Sequence, residues 1–279
     1  MAIRMIGLDL DGTLFNSRKQ LTAHTREVLL RAMAQGIVPV VATGRPRAGL
    51  PAVLEELGGL RYAVVTNGAA VYDLQGGACI YQKEMDRAAA ADLLARTRAL
   101  ETVQGAFVGP WGYMEEIDRA RIARLDLVDE MKRYLCASRK MVDSLPGFVR
   151  GADHGPQKLV LMFLKDASGE LIDAEAAMQI TGEYEEFSFV SGGVGNIEIM
   201  DRTVGKGEAL LALGRQLGIA PGEIMAIGDS ENDLDMIRKA GFGVAMANAE
   251  DVLLRHADAR TLTNDEDGAA AAIERYALR

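Results

Sequence analysis

The sequence predicts an α/β fold, a Rossmann-like parallel-sheet core that carries an inserted α+β domain. Short apolar runs rich in β-branched residues alternate with segments of helical spacing, as in a parallel sheet with crossover helices. The early runs each close in a polar turn that contains glycine. From about residue 83 the pattern shifts to consecutive strands and an Ala-rich helix, and the first pattern resumes near 193. The expected division is therefore 1–82 with 193–279 as the core, and 83–192 as the insert.

The first run, Ile3 to Leu10, ends in Asp9-Leu10-Asp11-Gly12-Thr13. Open α/β sheets place ligands at the carboxyl ends of their strands. Asp9 and Asp11 are two residues apart, the side-chain repeat of an extended chain, so both carboxylates can face one crevice. Two such carboxylates repel unless a cation or proton intervenes. A hard ion, Mg²⁺ above all, suits oxygen ligands beside phosphate.

Thr22 is placed to cap a helix that runs to Gln35, with Val28, Leu29, Ala32 and Met33 on one face and Gly36 as its stop. Ile37 to Ala42 is the second strand, closed by Thr43-Gly44-Arg45, and Val53 to Leu57 reads as a short helix. Tyr62 to Thr66 is the third strand, closed by Asn67-Gly68. Within the insert the spacing predicts a helix over 86–102, another around 119–135 and a strand from Lys158 to Leu164. A helix around 168–180 and paired strands at 185–191 and 196–200 follow. Gly205-Lys206-Gly207 then opens a leucine-rich helix closed by Gly218. Glu223 to Ile227 is a strand ending in Gly228-Asp229-Ser230-Glu231-Asn232-Asp233. A short helix at 234–240, strands at 243–246 and 261–263, and a helix at 269–275 complete the chain.

Composition narrows the function classes. The 279 residues are 49% hydrophobic and 25% charged, the balance of a globular protein with a large core. The net charge of −9 argues against a nucleic-acid footprint. No apolar run reaches the ~18 residues of a membrane span. Cys79 and Cys136 are the only cysteines, and such sparse usage fits reduced thiols and a cytoplasmic location. His24, His154 and His256 are scattered and suit the surface. Trp111 and Tyr113 suit a core, and Arg119, Arg121 and Arg124 a solvated helix face. Lys158, opening an insert strand, is left open between a structural part and a reach toward the site.

Four polar turns stand at predicted strand ends or helix starts, holding Asp9/Asp11, Thr43, Lys206 and Asp229/Asp233. Strand ends of a parallel sheet converge on one edge, so the turns can meet. Together they suit phosphoryl transfer. A carboxylate can attack phosphorus, a metal can neutralise charge, and a hydroxyl and an ammonium can hold the remaining oxygens. The acidic turn fails as a calcium loop: Leu234 stands where glycine is required and Ala240 where glutamate is.

These four motifs, in this order and spacing, resemble those of the haloacid dehalogenase superfamily, and the insert resembles its type II cap. Asn67-Gly68-Ala69, the stretch Asn196 to Lys206 and Asp265-Glu266-Asp267-Gly268 resemble its Cof-type phosphatase branch. The resemblance implies a Mg²⁺-dependent phosphatase of small phosphorylated metabolites that works through an aspartyl-phosphate. It implies Asp9 as nucleophile and metal ligand. Asp11 would be the general acid/base and give the metal its main-chain carbonyl. Thr43 and Lys206 would hold the phosphoryl group, with Lys206 also positioning Asp9. Leu10 and Gly44 would offer main chain to the phosphate, and Asn232 would touch the phosphate side or Lys206. Asp229 would ligate the metal, with Asp233 as ligand or support. The expected partner is a small phosphorylated molecule, with no nucleic acid and no membrane; oligomeric state is not legible. A sugar phosphomutase and a non-catalytic phospholigand sensor are the rival readings.

Overall fold

The computed structural model describes residues 2–54, 56–191 and 195–278. The chain forms two compact units. One comprises 1–45, 50–82 and 204–279, the other 46–49 and 83–203.

The first unit is built on an eight-stranded sheet. Its first five elements after β1 (Met5–Leu8) are α1 (Ala23–Ala34), β2 (Val38–Ala42), β3 (Tyr62–Val65), β4 (Ala70–Asp73) and β5 (Cys79–Gln82). The second unit then contributes α2 (Arg87–Thr97), β6 (Thr102–Val108), β7 (Trp111–Met114), α3 (Glu116–Ile122), α4 (Asp129–Ala137) and β8 (Arg139–Met141). It continues with α5 (Leu145–Gly151), β9 (Lys158–Phe163), α6 (Ala174–Gly182), β10 (Phe187–Ser191) and β11 (Asn196–Asp201). The chain returns to the first unit with α7 (Lys206–Leu217), β12 (Ile224–Gly228), α8 (Leu234–Lys239), β13 (Phe242–Ala245), α9 (Asp251–Leu254), β14 (Ala259–Arg260) and α10 (Gly268–Tyr276).

The strand order is β14-β13-β12-β1-β2-β3-β4-β5. β14 through β3 pair in parallel, whereas β4 and β5 turn back antiparallel at the edge. β1 lies at the centre, every residue buried. Its side chains alternate between faces: Ile6 and Leu8 pack with α1 and α10, Met5 with α7 and α8. Each such side chain, fully buried, contributes about 1.5–3 kcal/mol. α1 starts as expected, with the Thr22 Oγ1 accepting the Thr25 N–H at 3.1 Å.

The second unit has a six-stranded sheet, β10-β11-β9-β6-β7-β8. β9, at its middle, packs Leu159, Leu161 and Phe163 with α2, α5 and α6, and turns Val160 and Met162 into a second cluster with Phe107 and Leu135.

Several elements differ from the sequence reading. The expected 192/193 boundary lies outside the described residues. β11, placed in the core by that boundary, pairs with β9 and β10, and the second unit runs on to Thr203. The helix expected over 86–102 ends at Thr97, whose hydroxyl donates to the Leu93 carbonyl, and Thr102 already opens β6. The stretch around 119–135 is two helices, α3 and α4. The helix expected at 168–180 starts only at Ala174, after an Asp173 in left-handed conformation. Residues 52–54 form a 3₁₀ turn; Glu55, in the helix expected there, lies outside the described residues. The last strand is Ala259–Arg260 rather than 261–263. No helix among the described residues is long and apolar enough to cross a membrane.

Candidate active site

β1, β2 and β12 are neighbours, so their carboxyl ends deliver three of the four polar turns to one edge of the sheet. The fourth, Lys206, is the first residue of α7. Asp9 follows β1 and is 5% exposed; Lys206 is 1% exposed and Asp233 fully buried. The Lys206 Nζ donates to Asp9 Oδ1 at 2.7 Å, to Asp233 Oδ1 at 2.6 Å and to Asn232 Oδ1 at 3.3 Å. Carboxylate oxygens of Asp9, Asp229 and Asp233 lie within 4.8 Å of one another.

Each acid is held by its own local structure. Asp233 Oδ2 accepts the N–H groups of Asp229 and Ser230 at 2.9 and 3.1 Å, which folds the 229–233 turn on itself. Asp229 Oδ1 accepts the Thr13 hydroxyl at 2.7 Å, tying this turn to the one after β1. Gly12 has φ +97°, and a Cβ there would stand 2.3 Å from Asp229 Oδ2. Only glycine fits both the backbone and the space.

The cluster carries more negative charge than its lysine balances. Burial pushes the Asp9 carboxyl up to about 8; Lys206 pulls it down, and Asp233 and Asp229 push it further up. Burial lifts Asp229 to about 6, against the pull of the Thr13 hydroxyl. Lys206 is held above the usual lysine value. Burial works against its charge, and Asp233 and Asp9 outweigh it. Three converging carboxylates with one ammonium fit a divalent cation, since oxygen donors are what hard cations take.

Asp11 stands apart from this triad. Its carboxylate receives Arg45 through Nε at 3.0 Å and Nη2 at 2.9 Å, and Lys19 Nζ at 2.9 Å. Burial alone would raise its pKa, yet Arg45 and then Lys19 bring it below the usual value. So it rests as an ion-paired carboxylate.

Thr43 follows β2 and is buried; its Oγ1 accepts the Arg45 N–H at 3.2 Å and its carbonyl the Asn67 N–H at 3.0 Å. Gly44 beside it is half-buried. The Leu10 side chain is in the hydrophobic core, so only its main chain is available to a ligand.

Sequence reasoning missed several supporting residues. Arg45 and Lys19 as partners of Asp11 are two; the charge of Arg45 beside Thr43 was a signal for the first. Asn248 donates from Nδ2 to the Gly12 carbonyl at 2.8 Å, and Asn264 to that of Phe15 at 3.0 Å. Asp265 accepts the Ser17 N–H, and Asp267 the hydroxyls of Thr22 and Thr25. The 265–268 motif therefore braces the loop after β1.

Comparisons with known proteins bear on the family and the overall fold. A family of haloacid dehalogenase-like hydrolases matches residues 6–273. The phosphatase YwpJ of Bacillus subtilis is 31% identical over 96% of this chain and 98% of its own. From the same organism, the 5-amino-6-(5-phospho-D-ribitylamino)uracil phosphatase YwtE is 30% identical over 98% and 97%. A solved haloacid dehalogenase-like hydrolase from B. subtilis superposes with a TM-score of 0.81 at 30% identity, covering 98% of this chain and all of that one.

Proposed function

We propose that this chain, which belongs to the haloacid dehalogenase-like hydrolase family and is a phosphatase, hydrolyses small phosphorylated metabolites with Mg²⁺ through an aspartyl-phosphate on Asp9. The observation that carries the reading is the buried Lys206 ammonium held between Asp9 and Asp233, with Asp229 in reach of both.

In this account the Asp9 carboxylate attacks phosphorus and the ester P–O bond breaks. Lys206 fixes the attacking carboxylate and, with the Thr43 hydroxyl, binds the phosphoryl oxygens. Asp11 gives the leaving oxygen its proton, then takes a proton from the water that attacks the aspartyl-phosphate, releasing inorganic phosphate. Its ion-paired resting state suits the second, basic role directly; for the first, Arg45 and Lys19 have to give way to a proton. Asn232 holds Lys206 in line. Asp9, Asp229 and Asp233, with the main-chain carbonyl of Asp11, would hold Mg²⁺, which when bound neutralises charge that develops on the transferring group.

The second unit contains none of the four motifs, and we assign it the choice of leaving group. By its name YwtE acts on 5-amino-6-(5-phospho-D-ribitylamino)uracil, a phosphorylated ribityl compound; a phosphorylated polyol or sugar is the corresponding class here. The test is a panel of phosphorylated metabolites ranked by kcat/KM after exhaustive chelation and again with Mg²⁺ or Ca²⁺. Turnover should return with Mg²⁺ and poorly with Ca²⁺, whose longer bonds and looser coordination misplace the phosphoryl oxygen. Full activity after chelation, or release of phosphate only with a bisphosphate activator, would contradict the reading.

A further inference from the structure

The first turn of α7 has an irregular cap. Its N-cap residue is Gly205, which has no side chain to accept the free N–H groups of the helix start. The missing acceptor comes from another helix. Asp235, in the first turn of α8, accepts the N–H of Gly207 at 2.9 Å and of Glu208 at 3.2 Å, both on Oδ2. These are the two donors that an N-cap side chain normally takes. Asp235 Oδ1 pairs with Lys239 at 2.7 Å, and Lys239 also holds Glu208, which fixes the carboxylate's rotamer.

The two glycines make room for this arrangement. A Cβ on Gly205 would lie 2.1 Å from Asp235 Oδ2, and one on Gly207 2.5 Å from the Asp235 carbonyl oxygen. Lys206 sits between them. The segment 232–235 thus grips Lys206 at both ends: Asn232 and Asp233 hold the ammonium, and Asp235 holds the main chain from which the side chain starts.

We propose that Asp235 is a positioning residue for the phosphatase reaction, capping α7 from outside so that the Lys206 ammonium meets Asp9. Asp235 also occupies the donors of Gly207 and Glu208, so the phosphoryl group is met by the lysine side chain and not by these two N–H groups. The inference rests on the reading of Lys206 as the residue that orients Asp9 and binds phosphate.

The experiment measures kcat and KM with p-nitrophenyl phosphate for Asp235→Ala, Asp235→Asn, Lys206→Ala and the double variant Asp235→Ala/Lys206→Ala, each with a thermal melt. Asp235→Ala should lower kcat about tenfold, within the ~10²-fold that a misplacement of about 1 Å can cost, with little change in KM. Asparagine caps about as well as aspartate, so Asp235→Asn should regain all but about twofold. In the Lys206→Ala background the Asp235→Ala change should alter kcat by less than about twofold, because coupled residues are not additive. Should Asp235→Ala fail to fold, Gly205→Ala displaces the same carboxylate without removing it and should give the same loss of kcat. An unchanged kcat with only a lowered melting temperature would overturn the proposal. So would an equal loss with and without Lys206, or an asparagine variant no better than alanine. Full activity of Lys206→Ala would instead overturn the reading of Lys206 itself.

Discussion

Removing divalent cations should make this protein lose stability as the pH rises from 6 to 8. The folded Asp9 carboxyl titrates at about 8 and Asp229 at about 6, both above the ordinary 3.8. A carboxyl whose folded pKa is raised stabilises fully below its unfolded pKa, and that stability is lost as pH rises through the folded pKa. Above about 6 Asp229 has given up its proton, and Asp9 remains the principal proton that the folded state holds and the unfolded state does not. One such proton sets a slope of about 1.4 kcal/mol per pH unit. Over two units that is about 2–3 kcal/mol, or a fall in Tm of roughly 5–10 °C for a chain of this size. The carboxylates with lowered values, Asp11, Asp73, Asp126, Asp166, Glu223 and Asp265, act with the opposite sign. Their effect falls at pH values below the ordinary carboxylate range and leaves this window untouched. The assay is thermal unfolding in excess chelator at pH 6, 7 and 8 and constant ionic strength. Far-UV circular dichroism is the probe, because the single tryptophan, Trp111, lies in the second unit. Saturating Mg²⁺ should flatten the slope, and so should Asp9→Asn in chelator. A chelated protein whose Tm is constant or rises over this range would refute the reasoning.

Two further perturbations probe the supporting parts. Arg45→Ala removes the first of the cations that lower Asp11, so the acidic limb of kcat, set by the step in which Asp11 acts as base, should move to higher pH; a limb that stays in place or moves down would separate Asp11 from that limb. Replacing residues 84–202, rather than stopping at the expected 192, by a short linker should erode the kcat/KM ratios among metabolites more than turnover of p-nitrophenyl phosphate. Unchanged ratios in a variant with an intact far-UV spectrum would remove the selectivity role of the second unit.

The parts legible in the sequence were those that depend on local chemistry. β1 announced itself because its residues are apolar on both faces and stop at Asp9. Thr22 and Gly36 marked the ends of α1 by their own capping chemistry. Asp9, Lys206 and Asp233 could be brought together on paper because a parallel sheet gathers its strand ends, and they do meet within hydrogen-bond distance. What stayed hidden depends on pairing between distant residues. The antiparallel pairing of β10 with β11 was legible from two consecutive strand-like runs, but the ladder of β11 with β9, which carries the second unit past 192, was not. The antiparallel hairpin β4–β5 is four residues a side, too short for periodicity to stand out. The Arg45–Asp11 pair follows from β1 and β2 being neighbours, and the capping of α7 by Asp235 from the packing of two helices.

The central claim is that Asp9 carries the phosphoryl group in a covalent intermediate, and Asp11→Asn tests it most directly. p-Nitrophenolate leaves without much help from an acid, so the first step should proceed. Hydrolysis of the intermediate should slow by about 10²–10⁴-fold, the usual worth of a general base. Rapid quench should then show a burst of p-nitrophenolate near one equivalent, and intact-mass measurement with peptide mapping should find one phosphate on Asp9. No burst and no phosphorylated protein, with phosphate esters of good and poor leaving groups slowed equally, would contradict the account.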